Sequence, residues 1–144
     1  MPSTFITTRR VEFGDTDMAG IMHFSNFFRF MEAAETEFLR TRGLSVTWLD
    51  ADRRFGFPRV SAACDYQKPA KFEDMLTIAV TVEKIGRKSI SYRYDFTRDS
   101  DVIAIGRITA VYCRENGSHQ LESVEIPPEM RVILESESDL FHPT

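Results

Sequence analysis

The sequence has little of what builds a metal, redox or nucleic-acid protein. Only two cysteines, Cys64 and Cys113, occur in 144 residues, each inside an apolar strand-like run. There is no Cys-x-x-Cys motif, and the plainer reading is two reduced, buried thiols that pack as small hydrophobes. The three histidines, His23, His119 and His142, are far apart and form no His-x-x-x-His pair. With no EF-hand loop, no G-x-G-x-x-G and no P-loop, neither a metal site nor a cofactor is expected. A net charge of -4 argues against a general nucleic-acid binder, although it leaves room for a local basic patch. No apolar run approaches the roughly 18 residues of a membrane span. The first ten residues carry no signal-type pattern. These absences point to a cytoplasmic chain that does not engage a membrane.

What is there is a composition of 42% hydrophobic and 28% charged residues, ordinary for a soluble globular protein. No linker, repeat or low-complexity stretch interrupts it, so residues 1–144 read as a single domain. The tail from about 136 to 144 is expected to be loosely docked.

Period changes along the chain mark the elements. Phe5 to Phe13 alternates as a strand, and Gly14 to Gly20 is a loop. From Ser25 to Arg42, Phe24, Phe27, Phe28, Met31, Ala34, Glu35 and Phe38 recur at three-and-four spacing, an apolar helical stripe. Ser25 or Asn26 can cap this helix, Gly43 suits the residue after it, and its length is roughly 25 Å. Ser45 to Arg54, around Trp48, reads as a short second helix or an irregular connector. Strands follow at Val60 to Tyr66, Met75 to Glu83 and Ile90 to Phe96, with Gly86-Arg-Lys88 as a hairpin. Val102 to Cys113 is apolar on both faces, which predicts a central, covered strand. Asn116-Gly117 marks a turn, and Pro127 to Leu134 a last helix.

One long helix followed by consecutive antiparallel strands is an α+β arrangement. A single helix covers only one face of such a sheet. The remaining edge calls for a partner, and a homodimer is the economical answer.

Chemistry concentrates in Val11 to Asn26. Two carboxylates, Asp15 and Asp17, sit in a glycine-bounded turn just before the long helix. Free N–H groups at a helix start favour negative charge, including charge that develops during a reaction. Asp17 can act on an electrophilic carbonyl as nucleophile or base. Spacing alone equally allows an Asp that holds the loop in an Asx-turn. Asp15 reads better as a turn stabiliser. His23 can steady a ligand or simply bond the backbone. Gly20 suits a left-handed turn or a close ligand approach. Glu35, near the apolar stripe, reads as a solvated or interface carboxylate.

Phe13-Gly-Asp-Thr-Asp-Met-Ala-Gly-Ile21, then Ser25-Asn-Phe27, Tyr66-Gln-Lys-Pro-Ala70, Asp74-Met-Leu-Thr-Ile78 and Arg87-Lys-Ser89, resembles the hotdog-fold acyl-CoA thioesterases. Within these, the chain is most similar to the 4-hydroxybenzoyl-CoA thioesterase family, over about residues 5 to 130. The resemblance implies a curved antiparallel sheet around one long central helix. It implies a homodimer or a dimer-of-dimers tetramer, with the site at the dimer interface. It also implies hydrolysis of an acyl-CoA substrate without metal or redox cofactor, CoA entering only as part of the substrate. Carried over to this chain, it makes Asp17 the catalytic carboxylate and places the carbonyl-polarising amides near His23 and Phe24. Gly20, Asn26, Arg87, Lys88 and Ser89 become candidates for substrate binding, the last three for the CoA phosphates. Two rival readings stay open: a hotdog enoyl-CoA hydratase or dehydratase, and a non-catalytic acyl-CoA binding domain.

Overall fold

The structure, a computed structural model, describes residues 4–136. In chain order it contains β1 (Thr4–Arg10), a 3-10 turn (Phe13–Asp15), α1 (Asn26–Thr41), β2 (Thr47–Asp50), β3 (Arg53–Gly56) and β4 (Arg59–Tyr66). Then come β5 (Met75–Ile85), β6 (Ser89–Arg98), β7 (Asp101–Val111), β8 (Cys113–Glu115), β9 (Leu121–Ser123) and α2 (Pro128–Glu135). Five strands form one sheet in the order β1-β5-β6-β7-β4, and four short ones form a second in the order β2-β3-β8-β9. All pairings are antiparallel.

The alternation read from β5 and β6 decides which face is inside. Leu76, Ile78 and Val80 are buried, as are Ile90, Tyr92, Tyr94 and Phe96. Helix α1 lays Phe27, Met31, Ala34 and Phe38 across that face. Phe27 meets Phe96 edge-on at 5.3 Å, and Phe38 meets Tyr92 at 5.7 Å, the geometry that aromatic quadrupoles favour. A side chain at Gly106 would collide with the Met31 thioether, so this glycine lets helix and sheet approach closely. At the C-terminus of α1, Gly43 takes φ +72°. Gly43 N–H bonds the Arg40 carbonyl and Leu44 N–H the Leu39 carbonyl, which closes a Schellman motif.

Several expectations change. The 45–54 segment is no helix: β2 and β3 form a hairpin through Ala51 and Asp52, both at positive φ. That turn twists with the strands, and Trp48 stacks on Phe55 at 5.6 Å. Strand β7 lies inside the sheet, paired on both sides by β6 and β4, but it is not covered on both faces. Its outward residues Ile105 and Val111 stay half-exposed. The last helix expected from Pro127 to Leu134 is present, so the long helix is not alone: α2 buries Leu134 and caps the β5–β6 hairpin through Arg131, which donates to the carbonyls of Ile85 and Gly86. In the helical stripe, Phe30 and Leu39 are buried, whereas Phe24 is exposed. β1 stops at Arg10, so Phe13 belongs to the 3-10 turn. Apart from Ser136, the tail expected to dock loosely lies outside the described residues, as does His142. Among the described residues no helix is long and apolar enough to cross a membrane.

Candidate active site

The loop between β1 and α1 is a small hairpin in its own right. Gly20 N–H bonds the Asp17 carbonyl at 3.0 Å, Asp17 N–H bonds the Ile21 carbonyl at 2.9 Å, and Thr16 bridges Met22. This is a turn closed by one left-handed residue, Gly20, at φ +82°. A side chain at Gly20 would meet no protein atom within 4 Å, so the backbone angle, not crowding, requires the glycine. Asp15 holds the base of the hairpin. Its Oδ2 accepts from Glu12 N–H at 2.8 Å, and its carbonyl accepts from His23 N–H and from Asn26 Nδ2, both at 2.9 Å. Asn26 thus ties the first turn of α1 to the loop and does not line the cavity beside Asp17.

Asp17 is half-buried, and its two oxygens are in different situations. Oδ1 accepts from Ala19 N–H at 2.9 Å, the Asx-turn contact. Oδ2 makes no hydrogen bond among the described residues. The structural and chemical readings of Asp17 are therefore compatible: one oxygen fixes the side chain while the other stays available.

The amides at the start of α1 are sorted in the same way. His23 N–H is taken by Asp15, and Met22 N–H by the Ala70 carbonyl at 2.7 Å. Asn26, Phe27 and Phe28 N–H bond the carbonyls of His23, Phe24 and Ser25. Phe24 N–H has no acceptor among the described residues. Of the two amides expected near this point, only that of Phe24 is open. Ser25 has helical dihedrals and gives no side-chain cap. Its hydroxyl instead lies 2.8 Å from His23 Nδ1, and its N–H donates to the same nitrogen at 3.3 Å. The His23 ring stacks on Phe24 at 4.7 Å. No hydrogen bond joins His23 to Asp17 or Glu35 among the described residues.

A cavity of about 440 Å³ opens beside these groups. Asp17, Ile21, Met22, Phe24 and Phe27 form one side, and Tyr66 to Ala70, the run leaving β4, forms the other. The second wall is fixed from several directions. The N–H groups of Gln67 and Lys68 bond the Ile103 carbonyl, Lys68 Nζ pairs with Asp101 at 2.9 Å, and Arg98 donates to the Pro69 carbonyl. Tyr66 spans the two walls: Oη donates to the Phe24 carbonyl at 3.0 Å, and its ring meets Phe27 at 5.2 Å. Burial, reinforced by neighbouring Cys64, pushes the Tyr66 hydroxyl up to about 12, so it stays protonated as a donor. In the sequence, Tyr66 to Ala70 stands out only through the resemblance to the hotdog thioesterases. Its one local signal was Pro69 ending a strand, and the Met22–Ala70 pairing that brings it to the loop is non-local.

The remaining candidates lie elsewhere. Arg87, Lys88 and Ser89 sit at the hairpin end of β5, whereas the Asp17 loop is tied to the Met75 end through Val11 N–H and the Asp74 carbonyl. At about 3.3 Å per residue, that separates them by roughly 30 Å within one chain. Arg87 is exposed and 3.9 Å from Glu125. Glu35 is neither solvated nor at the surface: it is fully buried and paired with Arg59, and its Oε2 has no hydrogen-bond partner among the described residues. Burial raises its pKa against the opposing pull of Arg59. No group of three His, Cys, Asp or Glu among the described residues gathers as a metal site would require. The two cysteines are free, and burial raises Cys64 to about 11.

The profile of the thioesterase-like superfamily matches residues 11–134. A protein of Aquifex aeolicus (strain VF5) is 32% identical over 131 residues, covering 90% of this chain and 97% of that one. The 4-hydroxybenzoyl-CoA thioesterase of Pseudomonas sp. (strain CBS-3) is 29% identical over 133 residues, covering 88% and 94%. Among solved structures, a gentisyl-coenzyme A thioesterase superposes with a TM-score of 0.77 at 29% identity, covering 90% of this chain and 99% of that one.

Proposed function

The chain belongs to the thioesterase-like superfamily, and on that premise we propose that it is an acyl-CoA thioesterase of hotdog fold in which Asp17 is the nucleophile or general base and Phe24 N–H receives the developing oxyanion. One observation carries the assignment of roles. An available carboxylate oxygen and an available helix-start amide belong to residues lining the same cavity. A thioester carbonyl is a good electrophile, and its oxygen gains negative charge as the carbon becomes tetrahedral. A fixed N–H donor stabilises that charge more than it stabilises the ground state.

Two balanced routes use these groups. Asp17 can add to the carbonyl carbon and expel the CoA thiolate, giving an acyl anhydride that water then cleaves. Alternatively, Asp17 takes a proton from water as the oxygen adds to the carbon, and the proton passes to the departing thiolate. Either way the products are the free acid and CoA. Water is the only co-reactant, so the proposal needs no metal or redox cofactor. Ile21, Met22, Phe24, Phe27 and Pro69 supply apolar walls for the acyl group.

A second copy of the chain completes the proposal. Strand β4 lies at the sheet edge with Val60 to Ala63 exposed, which leaves its ladder open for another strand. Arg87, Lys88 and Ser89, remote from Asp17 in one protomer, serve a CoA phosphate only if another protomer brings them to the site. We place this homodimer, or a tetramer of two such dimers, in the cytoplasm, where Cys64 and Cys113 remain reduced.

The test is thiol release from benzoyl-CoA, 4-hydroxybenzoyl-CoA, hexanoyl-CoA and palmitoyl-CoA, with the protein's own thiols subtracted. Saturable turnover of at least one ester is expected. No thiol release from any of them would contradict the proposal. Consumption of crotonyl-CoA without thiol release would instead assign the chain to the hydratases.

A further inference from the structure

We propose that Tyr66 is a positioning residue for this reaction, its hydroxyl holding the backbone of Phe24 so that the Phe24 N–H stays aimed into the cavity. The inference rests on the reading of Phe24 N–H as the oxyanion donor.

Phe24 stands outside α1, two residues before its first turn, and is 62% exposed. Its ring stacks on His23 and meets Tyr66 edge-on, but it is not enclosed in the core. Its carbonyl has two donors: Phe27 N–H at 3.4 Å, a long bond, and Tyr66 Oη at 3.0 Å. The closer restraint comes from the opposite wall of the cavity, from the last residue of β4. The Tyr66 ring is itself fixed edge-on against Phe27 and Phe24, and Phe27 is fixed against Phe96 of the sheet. A continuous chain of contacts thus runs from the sheet core through Phe27 and Tyr66 to the residue that carries the open amide. A donor that stabilises a transition state acts only while it is held in place, because reorientation during the reaction cancels part of the gain. The peptide that carries the Phe24 N–H is held on its own side by Asn26 N–H, which donates to the His23 carbonyl at 3.0 Å, and Tyr66 holds the following peptide, on the other side of the Phe24 Cα. Removing the hydroxyl keeps the ring contacts and the cavity wall but leaves the Phe24 carbonyl only the long Phe27 bond, so that the Phe24 Cα, and the N–H attached through it, can shift.

The prediction concerns rate, not affinity. Tyr66→Phe should lower kcat about tenfold while leaving KM within about twofold, less than the hundredfold or more that follows loss of an oxyanion donor. A purely structural role for the hydroxyl predicts a lower Tm with kcat unchanged.

The second readout needs no turnover. The thioester carbonyl stretch of the best ester from the panel above is recorded by infrared difference spectroscopy, bound to Asp17→Asn and to the Asp17→Asn, Tyr66→Phe double variant. A bound carbonyl shifted to lower frequency in the first, with the shift reduced or broadened in the second, supports the inference. The same shift in both variants, or unchanged kcat in Tyr66→Phe, overturns it while leaving the thioesterase reading intact. No shift in Asp17→Asn overturns the oxyanion role of Phe24, and this inference with it.

Discussion

His23 N–H is bound to the Asp15 carbonyl at 2.9 Å, so the first of the two amides at the helix start is closed, and of the two only the next one, that of Phe24, has no acceptor among the described residues. The His23 ring is turned toward Ser25 in the same spirit, with Nδ1 2.8 Å from the hydroxyl. Both backbone and ring hold the helix start together.

His23→Ala should therefore behave as a structural variant. The loss of one side-chain bond and one stacked ring costs about 1 kcal/mol. kcat should fall by less than about tenfold, well short of the loss typical of a removed acid–base group. Thermal unfolding beside steady-state kinetics checks this; a thousandfold loss of kcat at unchanged Tm would make His23 catalytic instead.

Gly20→Ala tests the loop. The added methyl meets no atom, so its cost is the left-handed backbone angle alone. That is about 1 kcal/mol, or roughly 3 °C in Tm for a chain of this size. Because Gly20 closes the turn that carries Asp17, kcat should fall further than stability does. A variant as active and as stable as the parent would mean that the turn tolerates another geometry.

Asp74 gives the acid response of the site a sign. Burial pulls its pKa up, but this is outweighed by the Lys71 N–H at 2.8 Å and the Arg98 guanidinium at 2.7 Å, and the net shift is downward from 3.8. A depressed folded-state pKa contributes stability above the unfolded value and loses it as pH falls through the folded value. Asp74→Asn should therefore lower Tm at pH 7, by an amount equivalent to about 1 kcal/mol. Well below pH 3.8, where the parent carboxylate is itself protonated, the difference should close. An equal Tm gap at both pH values would show that the carboxylate charge is not what matters.

Much of this was legible in the chain because it is local. Leu76 to Val82 and Ile90 to Phe96 alternate, and alternation over a half-buried sheet has one solution. Gly43 announced the end of α1. What stayed hidden depends on pairings distant in sequence. The β2–β3 turn uses Ala51 and Asp52 at positive φ where glycine or asparagine is the usual signal, so four-residue strands around Trp48 looked like a connector. Ile103, Ile105 and Val111 read as a strand covered on both faces, yet Ile105 and Val111 stay half-exposed, because what covers the outer face of an interior strand is not written in the strand itself. Asp17 stands out in the sequence as a candidate, but that one of its oxygens is taken by the Ala19 N–H while the other makes no hydrogen bond among the described residues is visible only in the folded loop. Glu35 reads as a solvated or interface carboxylate because nothing near it in sequence points to Arg59. Tyr66 and Phe24 are 42 residues apart, and no periodicity connects them.

The most direct measurement is the turnover of Asp17→Asn against the parent, on the ester that the parent cleaves fastest. Asparagine keeps an Oδ1 for the Ala19 N–H, so the turn and the cavity should survive, with Tm and ester affinity close to the parent's. It removes the anionic oxygen, and kcat should fall by about a thousandfold or more. A variant that binds the ester normally and turns it over within about tenfold of the parent rate, too small a loss for a missing nucleophile or base, would contradict the central role of Asp17.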